Sequence, residues 1–259
     1  MTDQHKEQYT EALGSFQKSV RVALEVHAKV RNLPLQGVSP AARLMFARIF
    51  FISANILRLC PNIENEDDIW DFTSIAILAR SLFESVMFFR YFCEPGDADE
   101  WIARMILMHL HDRSERARLF AVLGRSEDVK GFTGEAEELR RLLQNNGFFQ
   151  RPGERTQKLL LNGYNPALIT LREMGDKYAR SEETWVFYQL LSSYAHSHPI
   201  GFMRNSEERR DGLPNDTDKM YIPGVLSWLA TLLDGATVAF QQIPAGLCVE
   251  DFPAPSGSA

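Results

Sequence analysis

The sequence predicts an all-α fold: a single bundle of about seven to eight helices around a central apolar helix at about 69–92. Three observations predict it. Apolar residues recur at three- and four-residue spacing nearly throughout, and strand-like alternation is hard to find. Proline and glycine pairs cut the chain into helix-length pieces.

Each element follows from its own signals. Phe16, Val20, Ala23, Leu24, His27 and Val30 form one stripe on a first helix over about 3–31, which Leu33-Pro34 breaks. Ser39-Pro40 reads as a cap followed by proline at the first helical position, opening a second helix to about Leu59. The acidic stretch 62–68 leads to the third, apolar on nearly every side, which marks a helix surrounded by others. A fourth runs over about 97–123 and stops at Gly124. A more solvated helix is expected over about 134–146, followed by a loop of roughly ten residues punctuated by Asn146-Gly147 and Pro152-Gly153. Asn165-Pro166 predicts a helix to about Met174, and the next spans about 181–198. Residues 204–218 read as a mobile charged loop, and Pro223-Gly224 as the lead-in to a last helix over about 225–242.

The 259 residues, 45% hydrophobic and 24% charged with net charge -6, fit one globular domain and argue against disorder or low complexity. That domain is expected at 1–252, with a polar insertion at about 124–160 and a disordered tail at 253–259. Cys60, Cys93 and Cys248 form no Cys-x-x-Cys, which argues against a disulfide framework or zinc ribbon. With a polar start, Met1-Thr2-Asp3-Gln4, they predict a cytoplasmic protein. The apolar stretches 44–60 and 72–92 carry Arg48, Arg58, Arg80, Glu84 and Arg90, and 225–240 is short and carries Asp234. Such charges suit core helices and not membrane spans.

Chemistry concentrates on two segments. Arg80 and Glu84, spaced i,i+4, share one face of the central helix, where ionisable groups need partners. Tyr188, Ser192 and His196 form a stripe at four-residue intervals on the helix over about 181–198. Two readings fit each pair of facts. The charges are an ion pair at the core edge and the stripe a set of satisfied polar groups, or the five side chains line one ligand-binding pocket. In the second reading they supply donors, an acid–base group and an anion clamp, with no metal and no cofactor.

Arg80-Ser81-Leu82-Phe83-Glu84, the later Tyr188-x-x-x-Ser192-x-x-x-His196 segment and Asn55-Ile56-Leu57 resemble bacterial helical families of unknown function. The resemblance covers about 40–200, with 124–160 outside it. It implies an all-α bundle with a shared buried polar cluster, in a stress or phage-defence context, and no established activity.

A second resemblance is to HEPN-type ribonucleases, through the spacing of Arg104 to His109 and to His111. It implies metal-independent RNA cleavage across a homodimer, with His109 or His111 moving the proton of the ribose hydroxyl and Arg104 stabilising the phosphorane. Met105 follows Arg104 where that family has a polar residue. Arg113, Arg116 and Arg118 form the densest basic patch, either a solvated face or a surface for RNA. No Glu-x-x-His, His-Glu-x-x-His, phosphate loop or Gly-x-Ser-x-Gly occurs. The partners in view are therefore a small anionic ligand or RNA.

Overall fold

A computed structural model describes residues 3–31, 40–65, 68–179, 182–196 and 216–243. Among them the fold is all-helical, with nine helices: α1 Asp3–Arg31, α2 Pro40–Leu59, α3 Phe72–Cys93, α4 Ala98–Val122, α5 Ser126–Gln144, α6 Glu154–Leu161, α7 Leu171–Tyr178, α8 Glu182–Ala195 and α9 Asp216–Gln241. By contacts the chain divides into two compact units. One comprises α1–α3 and α7–α9, and the other comprises α4–α6, within Glu94–Thr170.

In the first unit α3 is the central element, packed on α2, α7, α8 and α9, while α1 lies along α9 and α2. Its side chains explain the position. Phe72, Ile75, Ala76, Ala79, Leu82, Phe83, Val86, Met87 and Phe89 point to several sides of the helix and all are buried. Phe46 of α2 stacks on Phe240 of α9 with ring centroids 4.2 Å apart, and Phe89 tilts against both rings. Burying a side chain of this size contributes roughly 2–3 kcal/mol. By length and composition α3 and residues 218–241 of α9 are apolar enough to cross a membrane, at mean hydropathies of 1.5 and 1.4, and half of each stretch is buried within the fold.

Several element boundaries differ from those the sequence predicts. Helix α3 begins at Phe72, not near Ile69, because Asp71 caps it: its carboxylate accepts from the Thr73 amide and the Ser74 hydroxyl. A second carboxylate, the fully buried Asp218, accepts from the Phe72 amide. Asp218 thus belongs to a packed helix and not to the expected mobile loop. Pro223 lies inside α9, because Ile222 is buried and Tyr221 packs on Phe72, so tertiary contacts hold the turns before it. Residues 32–39, including the Ser39 cap, and the 204–215 and 253–259 segments lie outside the described residues.

In the second unit α4 and α5 pack together over Ala103, Ile106, Leu107, Leu110, Ala136 and Leu143, closed by Phe149 and by Leu160 of α6. The Asp97 side chain caps α4, and Glu100 reaches back to the Gly96 amide, satisfying two N-terminal donors. At the other end Gly124 takes φ 71°, and the Arg125 amide donates to the Phe120 carbonyl. That geometry needs the left-handed residue a glycine supplies. Helix α5 starts at Ser126, eight residues before the expected Gly134, and Phe132 stacks on Phe120 of α4. The sequence predicts no helix where α6 lies; Leu160, buried in this core, holds that short helix. Asn165-Pro166 opens no helix, and α7 starts only at Leu171.

Candidate functional site

Four of the five side chains singled out in the two segments, Arg80, Glu84, Tyr188 and His196, come together within the first unit. Arg80 Nε donates to Glu84 Oε1 at 3.0 Å along one face of α3. The same oxygen accepts from the Tyr188 hydroxyl at 3.2 Å, and the Arg80 guanidinium lies over the Tyr188 ring, 5.6 Å from its centroid. Arg80 Nη1 stands 2.6 Å from His196 Nε2. One chain of polar contacts therefore runs His196–Arg80–Glu84–Tyr188 and joins α3 to the far end of α8.

The local sequence accounts for this register. On α8 the i,i+4 spacing puts Tyr188, Ser192 and His196 on one stripe, while Leu191 and Tyr194 are buried. Phe83 packs on Trp185 and Tyr188, which locks α8 against α3 and sets the height at which Tyr188 meets Glu84. Phe72 meets Tyr194 edge-to-face at 4.8 Å and fixes the other end.

The cluster is half-buried, where the sequence predicts a buried one. The side chains of Arg80 and Glu84 keep 20% and 35% of their exposure, and His196 is exposed at the helix end. The Ser192 hydroxyl is an exception: its oxygen is buried and has no hydrogen-bond partner among the described residues. Arg80 and Glu84 pair within α3, and the pair is carried across to α8.

On the other edge of α3, Arg48 of α2 donates to Ser85 Oγ at 3.4 Å, a residue that sequence reasoning left unassigned. Its only signal is an exposed arginine between Leu44 and Phe51, at spacing seven on the same helix.

The residues of the nuclease reading lie in the second unit. Arg104 is among the most buried side chains of the chain, with 1% of its surface exposed. It is bridged to Glu100 and donates to the Glu94 carbonyl at 3.3 Å. His111 Nδ1 lies 3.0 Å from the Gly163 carbonyl. Burial, aided by the nearby Arg113 charge, pushes the His109 imidazole below its ordinary range, with Asp112 opposing. The basic patch is neutralised in place. Arg113 pairs with Asp112 and Glu135, Arg116 with Asp112, and Arg118 with Glu115. Arg113 and Arg116 also lie over Phe132, and Arg118 over Tyr164.

The model of a family of unknown function, DUF5677, matches residues 41–213, more than half of the chain. The chain belongs to that family. The DUF5677 match takes in α2 to α8 and all five residues of the polar cluster, in agreement with the resemblance to uncharacterised helical families. No curated protein and no solved structure matches the chain.

Proposed function

We propose that this DUF5677 protein is a binding module, acting in the cytoplasm, whose ligand is a small anion held by Arg80, Glu84, Tyr188, Ser192 and His196. One observation carries the reading: the linked His196–Arg80–Glu84–Tyr188 chain, with Ser192, whose buried hydroxyl has no partner among the described residues, on the same stripe of α8 as Tyr188 and His196. Buried hydroxyls ordinarily find partners, and leaving one unmade costs about 1–3 kcal/mol. A ligand acceptor would satisfy it.

The pairing with Glu84 sets the chemistry. An anion must share Arg80 with a carboxylate already bound to it, which keeps the affinity of a bare anion low. A molecule carrying both an anionic group and a donor meets Arg80 with one and Glu84 with the other. Hydroxy acids and amino acids have that pattern. The test is a melting-shift titration of lactate against propionate, at equal ionic strength, on wild type, Arg80→Ala and Ser192→Ala. A saturable shift larger for lactate, and lost in both variants, is expected. No shift with any hydroxy or amino acid removes the reading.

The ribonuclease reading has less support, because the guanidinium it needs at the phosphate is buried and engaged by Glu100 and Glu94.

A further inference from the structure

A separate cavity in the same unit points to a ligand of the opposite charge. Helix α3 packs on both α8 and α9, and α8 meets α9 through the Phe187–Trp228 stack. Where they diverge they leave a cavity of about 390 Å³, within the size range of small-molecule sites. Phe187 of α8 and Leu232 of α9 are among its apolar walls, Ser227 and Thr231 of α9 supply hydroxyls, and Glu183 of α8 supplies a carboxylate.

Three features distinguish this space from a packing gap. First, its aromatic wall is held rigid. Phe187 stacks on Trp228 at 5.3 Å between centroids, and Trp228 stacks on Phe83 of the core at 5.5 Å. Second, glycine keeps it open. A Cβ at Gly224 would come within 3.8–3.9 Å of the Phe187 ring, so a larger side chain fits the backbone but takes up the room. Third, the carboxylate is uncompensated: Glu183 forms no ion pair among the described residues.

We infer that this cavity binds a small primary ammonium compound with a short apolar or aryl tail. The tail lies against Phe187 and Leu232, the ammonium meets the Glu183 carboxylate, and the Ser227 and Thr231 hydroxyls accept its remaining N–H bonds. An anionic ligand would face Glu183 with no cation among the described lining residues to offset it. A purely apolar one would leave the carboxylate without a counter-charge. This site shares no residue with the Arg80 cluster and does not depend on it.

The experiment is isothermal titration of the full chain with phenethylamine and with the uncharged phenethyl alcohol. Saturable binding of the amine, and weaker binding of the alcohol, is expected. Glu183 is exposed, so Glu183→Gln leaves the fold intact and weakens the amine about fivefold, as the loss of one solvated ion pair does. Gly224→Leu fills the cavity and abolishes binding with no loss of melting temperature, while Arg80→Ala leaves the amine affinity unchanged. Equal affinity for amine and alcohol, no saturation by the amine, or an unaffected Glu183→Gln each overturns the inference. Sedimentation with phosphatidylethanolamine vesicles separates a free amine from a lipid headgroup. Capture by vesicles without binding of phenethylamine also overturns it.

Discussion

Arg80 Nη1 lies 2.6 Å from His196 Nε2, a contact between residues 116 positions apart in sequence. A guanidinium has donors and no acceptor at any accessible pH, so the imidazole must accept. With Nε2 accepting, the ring N–H of His196 lies on Nδ1. Nitrogen-correlated NMR of histidine-labelled protein is expected to show that tautomer for His196. Arg80→Leu removes the donor and returns the ring to the mixture found in free histidine. An Nε2–H tautomer in the wild type would mean that the two groups do not meet in solution.

This contact also shows how much of the site the sequence displayed. Four-residue spacing alone put Arg80 with Glu84 and Tyr188 with Ser192 and His196, because helix geometry is local. That the two stripes face each other depends on Phe83 packing with Trp185 and Tyr188, a tertiary fact that an apolar pattern allows but does not select. The polar exterior of 124–146 concealed that α5 starts at Ser126, since two glycines weaken its helical signal and Phe132 restores it only through Phe120. Pro223 misled in the same way. Its cost inside α9 is offset by the burial of Ile222 and by Tyr221 and Asp218, whose partner Phe72 lies about 150 residues earlier.

His109 gives a pH dependence of definite sign. Its imidazole is held below the ordinary range, first by burial and then by Arg113. The unfolded chain then takes up the proton at a higher pH than the folded one. The stability it contributes is complete above the unfolded value of about 6.5 and is lost as pH falls toward and through the lower folded value. Between about pH 7 and pH 5 the wild type should lose stability more steeply than His109→Gln, measured by denaturant unfolding at each pH. Parallel curves would show that the imidazole is solvated.

Gly163 is a position where no other residue fits. Its φ is +75°, and an added Cβ would stand 2.2 Å from Ser114 Oγ and 2.7 Å from Ser114 Cβ. The loop cannot back away freely, because the Gly163 carbonyl is held by His111 and Arg118. Gly163→Ala is expected to cost about 2–4 kcal/mol, combining backbone strain with overpacking on α4. Adding Ser114→Gly removes the collision and leaves the backbone part, so the two substitutions should be strongly non-additive. A loss below about 0.5 kcal/mol for Gly163→Ala would mean the turn adopts another conformation.

Arg104 decides between a structural and a chemical role in the second unit. Glu100 binds its guanidinium with one carboxylate oxygen and the Gly96 amide with the other, so the arginine is anchored to the cap of its own helix. The Glu94 carbonyl is a second acceptor. Removing the positive charge strands a carboxylate with only 16% of its side chain exposed. Arg104→Met should therefore cost about 3–5 kcal/mol despite its similar reach. Neutralising the stranded group should recover much of that loss, because Gln at 100 still accepts from the Gly96 amide and carries no charge. Arg104→Met with Glu100→Gln is expected to melt well above Arg104→Met alone, a coupling that a double-mutant cycle reads directly. A catalytic arginine behaves otherwise: Arg104→Met would melt within about 0.5 kcal/mol of wild type and lose cleavage of an RNA substrate instead. Because the guanidinium already has its acceptors inside the protein, the stability loss is the expected result.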